Sequence, residues 1–464
     1  MEKPKVNQKI VTIFGLSELA AILIANLSTQ YFSFYITDIL LYSPVVMGTV
    51  LIFTRTFDIA TILISGVVEE KMNPKWGKYR SWLLMMIPIA AVVGIVQYAN
   101  IGGAGKLIVA SVCYVLFFGF FNFGRTAQLA LLNSIGSTPE DRAMLSARKG
   151  QFASLAGIIF NATFLPLALF FSGAATKTDI KPLGFLLTVV VFQAVYLIPQ
   201  MILFKASKPY DMPVTDAQAK QQLHRQKLSG KEMLEQVFKN PPLLLLLLAE
   251  ICKTVVNTLV LSMAVYYFKV VAQDLTLSTI FTTAISVTGF VGTIFIGQFV
   301  MKKVGKKYTY VMGFGLPIIA MIIARLVAAN NSLLFICIMC VAWFFFLGIS
   351  IPGPAMFGDC VEYGKYKIGK EGRAFVMSLY TLPIKIGVLI AGGVSGYLLG
   401  AIGYSASATI TPQLQSGLFN LVTFAPAAFL AVGLICALCY PLTEKRTKEI
   451  MQLNQSAKTQ TADR

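Results

Sequence analysis

The chain has 464 residues, of which 56% are apolar and 13% are charged. The charged share is about half of that in an average soluble domain. This composition excludes a disordered, collagen-like or coiled-coil chain. So little polar surface also argues against a soluble enzyme. Lys and Arg outnumber Asp and Glu by 39 to 21, which gives a net charge of +18. This excess fits nucleic-acid binding, a membrane surface, or unequal charge on the two sides of a bilayer.

Apolar runs long enough to cross a bilayer recur along the whole chain. A membrane-spanning helix needs about 20 residues, and polar or Gly/Pro breaks separate twelve such runs. They cover residues 10–35, 44–68, 82–100, 107–134, 151–173, 183–204, 242–268, 277–300, 308–328, 332–356, 375–402 and 417–441. The first run is too long for the apolar core of a signal peptide and lacks a small-residue cleavage site. The sequence therefore predicts an all-α membrane protein with twelve transmembrane helices.

The basic residues lie mostly on one side of these spans. We call the membrane side that holds the N-terminus side one, and we call the other membrane side side two. Thirty of the 39 Lys and Arg residues fall on side one, five on side two and four within spans. Because the cytoplasmic loops of membrane proteins are enriched in Lys and Arg, we expect both termini in the cytoplasm and the chain in the cell inner (plasma) membrane. The positive charge thus predicts topology rather than a nucleic-acid partner.

A long polar segment divides the chain into two halves. We predict a six-helix bundle over residues 1–204, a cytoplasmic linker over 205–241, a second bundle over 242–442 and a cytoplasmic tail over 443–464. After span two the chain reads Gly66, Glu70 and Gly77-Lys78-Tyr79-Arg80, and after span eight it reads Gly297 and Lys302-Lys303-Val304-Gly305-Lys306-Lys307. A basic, Gly-containing turn at the same place in both halves indicates two pseudo-symmetric bundles. This repeat resembles that of the major facilitator superfamily.

Seven ionisable residues fall inside the predicted spans. They are Glu18, Arg55, Asp58, Arg125, Glu250, Lys253 and Lys385. Each costs about 2.5–3.5 kcal/mol at mid-depth in a bilayer, so such residues pair with one another or line a wet cavity. Helical spacing puts Arg55 and Asp58 on one face, and likewise Glu250 and Lys253. Polar stripes on spans 1, 2, 4, 7 and 11 predict a central aqueous pathway, and the alternative is that some of these pairs are structural clamps.

Several longer strings resemble one transporter family. Arg55-Thr56-Phe57-Asp58 with Lys75-Trp76-Gly77-Lys78-Tyr79-Arg80-Ser81-Trp82 is similar to its R-x-W-D…R-W-G-K-F-x-P-W signature. Residues 359–367, DCVEYGKYK, are similar to its D-x-V-D-Y-G-E-Y-K, and Lys385-Ile386-Gly387 to its K-x-G. Over nearly its whole length the chain resembles the glycoside–pentoside–hexuronide:cation symporters, which are related to melibiose permease. The resemblance implies cation-driven symport of a sugar or glycoside by alternating access.

The resemblance also assigns roles to residues. It implies cation coupling at Asp58, with Lys385 as its electrostatic partner and Thr61 one turn away. The family's second aspartate is missing from the run Asp58-Ile59-Ala60-Thr61-Ile62. We therefore expect a proton rather than Na⁺ as the coupling ion, and no other cofactor.

The substrate cavity is predicted from polar residues of spans one, four and eleven. We expect it to contain Glu18, Asn122, Arg125, Thr126, Thr381 and Lys385. Thr126 falls where the family has a sugar-binding aspartate, and Ile22 where it has another in span one. An Arg beside the lost acid suggests an acidic, hexuronide-like substrate, because Arg pairs well with carboxylate or sulfonate. The alternative is that Arg125 pairs with Glu18 inside the bundle.

Side-one residues are predicted to gate the inner face. They are Trp76, Lys78, Arg80, Arg142, Arg148, Asp359, Glu362 and Tyr363, with Lys149 in the same network. The pairs Cys337/Cys340 and Cys436/Cys439 have CxxC spacing but lie within spans without a His, so we expect no metal site.

Two other functions are the alternatives to sugar symport. The same fold could export or antiport a drug or a non-sugar metabolite, since fold does not fix substrate. A membrane enzyme would need acidic metal-binding loops, and side two carries only scattered acids, so we expect no enzyme. We infer no obligate protein partner.

Overall fold

The computed structural model describes residues 6–72, 74–101, 103–136, 138–173, 176–211, 235–328, 331–368, 376–377 and 379–462. Regular structure in these ranges is helical, without a strand. The first half has six long helices. They are α1 (Gln8–Gln30), α2 (Pro44–Lys71), α3 (Arg80–Val96), α4 (Lys106–Ile135), α5 (Pro139–Ser172) and α6 (Pro182–Ala206). A short helix (Phe32–Phe34) and a π-helical turn (Tyr35–Ile39) continue α1 toward side two.

The second half repeats this order with additions. Its long helices are α7 (Pro241–Tyr267), α8 (Leu275–Phe295), α9 (Met301–Val327), α10 (Ser332–Gly348), α11 (Pro352–Ile368), α12 (Leu382–Ala401), α13 (Pro412–Cys439) and α14 (Glu444–Ala462). Shorter pieces are the π-helical turns Phe268–Ala272 and Ile296–Val300 and the 3₁₀ turns Gly103–Gly105 and Leu379–Thr381. The predicted span 332–356 is thus two helices, because the chain turns at 349–351.

Local sequence explains where many helices begin. The side chains of Asn7, Ser43, Thr138, Asn331 and Thr411 each accept a hydrogen bond from a backbone N–H three residues later. Such caps satisfy donors that have no partner inside the helix. In three of these helices, α2, α5 and α13, a proline follows the cap, where its fixed φ suits the first turn.

The number of membrane spans agrees with the predicted fold. Within the described residues, eleven helical segments are long and apolar enough to cross a bilayer. The one remaining predicted span, residues 82–100, corresponds to α3, which is apolar but has only 17 residues. The described part of the chain therefore has the all-α architecture that the sequence predicts for a membrane protein of two helical bundles.

The helices form two compact units that share part of their packing pattern. In unit 1, α1 packs against α5 and α6, while α3 packs against α4 and α6. In unit 2, α7 packs against α13, while α9 packs against α10 and α13. Because α7, α9, α10 and α13 hold the places of α1, α3, α4 and α6 in the second half, the internal repeat predicted from the sequence is present in the helix packing.

The two compact units differ from the two predicted bundles in which residues they contain. Unit 1 comprises residues 1–225, 268–283 and 392–410, and unit 2 holds the remainder. The side-two ends of spans from the second half join unit 1 because Asp38 pairs with Lys269 and accepts a hydrogen bond from Tyr404 at 2.8 Å. Most of the predicted linker, residues 212–234, lies outside the described residues. The boundaries at 204 and 241 therefore stay predictions.

Candidate functional site

A buried polar cluster surrounds Asp58 on α2. The Asn122 amide nitrogen, on α4, donates to Asp58 Oδ1 at 2.8 Å and to Thr61 Oγ1 at 2.9 Å. Thr61 in turn donates to the Asp58 backbone carbonyl at 3.0 Å. Asp58 and Asn122 are 2% and 1% exposed. The structure thus brings together Asp58, Thr61 and Asn122, which the sequence had distributed between the predicted cation and substrate sites.

Arg55 balances the Asp58 charge from one turn away. Its Nη1 lies 4.0 Å from Asp58 Oδ2, which is too long for a hydrogen bond. Its Nη2 donates to the Ser28 carbonyl at 3.2 Å, and the guanidinium lies 5.0 Å from the ring centres of both Tyr114 and Phe118. Cation–π contacts stabilise a desolvated cation. Arg55 therefore offsets the carboxylate charge without donating a hydrogen bond to it.

A second cluster joins α1 to α4 through an ion pair. The Arg125 guanidinium contacts both oxygens of Glu18, with Nη2 at 2.7 Å from Oε1. Gln128 donates to Ser17 Oγ at 3.0 Å and more weakly to Glu18 at 3.4 Å. Gln200 on α6 donates to the Ser17 carbonyl at 3.0 Å. Of the two alternatives that the sequence left open for Arg125, the pairing with Glu18 is present in the structure.

Lys149 adds a cation beside this pair. It lies on α5, and it interacts electrostatically with both Glu18 and Arg125. The close packing of α5 on α1 brings it there, since a Cβ on Gly15 would lie only 2.9 Å from the Phe152 ring. Counted with their ordinary charges, Glu18, Arg125 and Lys149 together carry one net positive charge. The sequence grouped Lys149 with the side-one gate, and no spacing rule connects residues on helices that far apart in the chain.

Thr126 faces a different neighbour from Arg125. Its Oγ1 lies 3.1 Å from Ser65 Oγ on α2. The hydroxyl of Thr126 therefore continues the polar contact between α2 and α4 that begins at Asp58 and Asn122. Its predicted role as a substrate contact stays a prediction.

Lys385 and Thr381 belong to unit 2, whereas Asp58 belongs to unit 1. Lys385 is half-buried on α12, and Thr381 is exposed one turn earlier. Gly387 allows α12 to approach α7 closely, since a Cβ there would lie 2.5 Å from Thr254 Cβ. The pairing of Lys385 with Asp58 and the roles of both unit-2 residues stay predictions.

Unit 2 contains its own buried ion pair. Lys253 pairs with Glu250 one turn before it on α7, and Tyr310 on α9 donates to Glu250 Oε1 at 2.7 Å. Gly353 leaves room for the same oxygen, which would lie 3.0 Å from a Cβ at that position. Helical spacing predicted this pair, and Tyr310 is an additional partner that the sequence did not reveal.

The two basic turns on side one have the same construction. Gly77 and Gly305 have φ of +133° and +83°, which a residue with a Cβ rarely adopts. After Gly77, Asp211 Oδ2 accepts from the backbone N–H groups of Tyr79 and Arg80 at 2.8 and 2.7 Å. After Gly305, Glu444 Oε1 accepts from Lys306 N at 3.2 Å.

These two carboxylates were missed in the sequence. Asp211 follows the last span of the first half and Glu444 the last span of the second. Each holds a turn that lies more than 130 residues away. Their equivalent places after the sixth and twelfth spans are the only signal that could have found them.

The predicted gate residues are spread over several side-one contacts. Arg80 donates to the Phe204 carbonyl at 3.2 Å, and Arg142 to the Gly136 carbonyl at 2.9 Å. Asp359 pairs with Lys306, and Glu362 accepts from Asn454 at 3.2 Å.

The remaining predicted gate residues make looser or local contacts. The Trp76 side chain is exposed beside Lys75, Lys78 lies over the Tyr79 ring, Arg148 packs near Gly15, and Tyr363 is half-buried on α11. The gating role of the whole set stays a prediction.

Comparison with known proteins identifies the family. The family model described as MFS/sugar transport protein matches residues 13–444. The chain belongs to this family. It is 25% identical to a putative sulfoquinovose importer of Escherichia coli, over 97% of this chain and 94% of the relative. It is also 25% identical to the glucuronide carrier protein homolog of the same organism, over 90% of this chain and 89% of the relative.

Other relatives extend this range. An isoprimeverose transporter of Lactiplantibacillus pentosus is 24% identical over 95% of this chain and 90% of its own length. Among solved structures, the nucleoside transporter NupG matches with a TM-score of 0.64 and 12% identity, over 94% of this chain and 100% of that one. A bacterial homologue of the lysosomal transporter Spinster, in an inward-facing conformation, matches with a TM-score of 0.64 and 14% identity, over 96% of each chain. These structures share the fold, and the protein is a multi-pass sugar-type transporter rather than an enzyme.

Proposed function

We propose that this transporter imports an acidic sugar or glycoside together with a cation, with a proton favoured over Na⁺, by alternating access. It works in the inner membrane with both termini in the cytoplasm, because the positive-inside rule assigns side one to that compartment. Asp58 carries the coupling cation, and Lys385 is its electrostatic partner in the cycle.

The cluster of Glu18, Arg125 and Lys149 carries the proposal of an acidic substrate. Glu18 neutralises Arg125, and Lys149 leaves one net positive charge among side chains of three helices. Carboxylates and sulfonates bind well to Arg and Lys in a partly desolvated site. Relatives named for sulfoquinovose and for glucuronide support the same class, since these sugars carry a sulfonate and a carboxylate.

The donors around Asp58 favour a proton. A Na⁺ site needs several oxygen ligands, whereas the Asn122 amide nitrogen donates a hydrogen bond to the carboxylate at 2.8 Å. Thr61 stands one turn after Asp58 where a second acid would help to hold a metal cation. One carboxylate is sufficient for a proton. Loss of its charge on protonation changes which carboxylate–cation pairs are favourable and so shifts the equilibrium between the two access states.

Uptake into proteoliposomes tests the substrate class. We expect inward gradients to drive accumulation of uronides and sulfonated sugars in preference to neutral glycosides, with a response to pH and little to Na⁺. Arg125→Gln should reduce uptake of the acidic substrate by about 10- to 100-fold, the value of one charge-assisted hydrogen bond. Arg325→Gln is the matched control, since Arg325 contacts Asn420, Ser416 and the Phe419 ring on side two. If the Arg125 variant took up acidic and neutral substrates as well as the wild type does, the proposal of an acidic substrate would be refuted.

Asp58→Asn tests the coupling site. The amide cannot bind a proton, so we expect gradient-driven accumulation to disappear while exchange of substrate across the membrane continues. Accumulation and exchange are measured on the same vesicles with labelled substrate. Full accumulation by the variant would exclude Asp58 as the coupling site.

Export or antiport of a non-sugar metabolite or drug is the second candidate. A relative named as a putative 2,3-dihydroxypropane-1-sulfonate exporter, 25% identical over 95% of this chain, favours it. Vesicles of known orientation with gradients of either sign distinguish the directions. Faster outward than inward flux under equal gradients would favour export.

A further inference from the structure

Glu69 is a buried carboxyl group for which the proposed function has no use. It lies near the side-one end of α2 and is 2% exposed. Both side-chain oxygens are inaccessible to solvent and have no hydrogen-bond partner among the described residues. Among the described Asp and Glu side chains, Glu69 is the one in which both oxygens are left in this state.

Several charged groups of the helices around α2 are engaged elsewhere. On α4, Arg125 pairs with Glu18 and Lys106 lies over the Tyr42 ring. On the segment that follows α1, Asp38 pairs with Lys269. On α2 itself, Arg55 faces Asp58.

The other titratable groups of these helices are distant from Glu69. The contacts of Asn122 with Asp58 and of Thr126 with Ser65 fix the register of α4 against α2. In this register Cys113 and Tyr114 lie toward side two, and so do Tyr35 and the tyrosines Tyr397 and Tyr404 of the α12 end, which contact Asn100, Thr49 and Asp38. Among the described residues, no neighbouring charge and no hydrogen bond offsets the burial of Glu69.

An ionised carboxylate in this position is strongly disfavoured. Burial of an unpaired charge costs several kcal/mol even after relaxation. A neutral carboxylic acid leaves only an ordinary polar group without a partner, which costs about 1–3 kcal/mol. The protonated form is therefore the one that fits this environment.

Glu69 also lies in line with the proposed coupling site. Asp58, Ser65 and Glu69 are separated by seven and four residues, so they share one face of α2. The hydroxyls of Ser65 and Thr126 meet between Asp58 and Glu69, where α2 contacts α4. At about 1.5 Å per residue, the two carboxyl groups lie roughly 16 Å apart along the helix.

We propose that Glu69 is a second proton-binding site, distinct from Asp58, whose carboxyl group is protonated, and therefore neutral, while the side-one end of α2 is closed. The proton is bound from, and returned to, the aqueous phase on side one when that end opens. Only the link between this proton and substrate movement rests on the proposed function; protonation of Glu69 in the closed protein does not.

Infrared spectroscopy of the full-length protein in liposomes tests this without any substrate. The C=O stretch of a protonated carboxyl is recorded at neutral pH for the wild type, Glu69→Gln and Asp58→Asn. Glu140→Gln is the matched control, because Glu140 is an exposed carboxyl on side one. We expect the Glu69 variant to lose the absorbance of one protonated carboxyl, which the Glu140 and Asp58 variants retain. An unchanged band in the Glu69 variant would show that Glu69 is ionised and would overturn the proposal.

Two further measurements keep the test decisive. Glu69→Met removes the polar group entirely, so it provides the same infrared comparison if the Gln variant does not fold, and we expect it to be at least as stable as the wild type. The transient uptake and release of protons on side one during each transport cycle should fall by one proton in the Glu69 variants. If the Glu69 variants lose the infrared band but proton uptake and release on side one stay unchanged, the carboxyl is protonated and its role in transport is contradicted. If the wild type does not take up acidic substrates, only the proposed function is refuted.

Discussion

Each half of the protein has a buried carboxylate on its first helix, but the two carboxylates are neutralised differently. Glu18 lies ten residues after the start of α1, and Glu250 lies nine residues after the start of α7. Glu18 takes its cation from α4, 107 residues away in the chain, whereas Glu250 takes its cation from the next turn of its own helix. The same place in the repeat thus holds a long-range pair in unit 1 and a local pair in unit 2.

This difference bears on what each pair can do during transport. A pair within one helix moves as a body, so Glu250 and Lys253 stay neutral whatever the neighbouring helices do. The pair between α1 and α4 depends on how those helices pack, and the planar guanidinium of Arg125 can exchange one carboxylate for another of similar geometry. We therefore expect the unit-1 pair to respond to an acidic substrate and the unit-2 pair to serve as a structural clamp.

The largest effect is expected on breaking the unit-1 pair. Arg125→Gln leaves Glu18 buried without its cation, which should lower the free energy of unfolding by about 3–5 kcal/mol. Glu18→Gln/Arg125→Gln removes both charges and should recover most of that stability, while uptake of the acidic substrate stays lost. Thermal unfolding of the purified variants and uptake assays measure the two effects.

This pair of variants also provides its own control. Recovery of stability without recovery of uptake separates the structural from the transport role of Arg125. A double variant as unstable as Arg125→Gln would contradict the direct coupling of the two charges.

A smaller effect is expected in unit 2. Lys253→Met should destabilise by about 2 kcal/mol, because Glu250 keeps the hydrogen bond from Tyr310. Glu250→Gln/Lys253→Met should fold and transport at a rate close to that of the wild type. Loss of uptake by a stable double variant would break the comparison, since the unit-2 pair would then also take part in transport.

The contrast between the pairs also explains what the sequence could predict. Lys253 follows Glu250 at helical spacing, so the pattern alone indicated their contact. The partner of Arg125 lies on another helix, and the sequence left both alternatives open because side-chain spacing carries no information about which helices pack together. Lys149 reaches the same cluster only through the packing of α5 on α1.

The same limit applies to the fold. Hydropathy predicted the spans and charge predicted the repeated basic turns at Gly77 and Gly305, since both signals are local. The carboxylates of Asp211 and Glu444 that hold these turns come from distant helices and were missed. The break at 349–351 was missed because the apolar run continues through it. The sequence could not predict that Glu69 lacks a partner either, because this depends on which side chains the neighbouring helices place around it.

An exposed pair on side two sets the lower end of the scale. Lys177 contacts Asp274 at 2.9 Å, and their side chains are 69% and 21% exposed. Burial raises the pKa of Asp274, but the hydrogen bonds from Lys177 and Thr276 lower it by more, so the pKa lies below its ordinary value. A carboxyl with a lowered pKa stabilises the folded state above the pKa of the unfolded chain, and this stabilisation is lost as the pH falls through the folded-state pKa.

Lys177→Ala should therefore cost at most about 1 kcal/mol at neutral pH, as exposed ion pairs generally do. The difference from the wild type should shrink as the pH falls through the lowered pKa of Asp274, because below that pKa the carboxyl is protonated in both proteins. Thermal unfolding of the two proteins at neutral and acid pH, at low and high salt, measures it. The comparison would fail if Lys177→Ala lowered the free energy of unfolding as much as Arg125→Gln, or if its effect did not decrease in acid. Either result would mean that desolvation does not explain the difference between the buried pairs and the exposed pair.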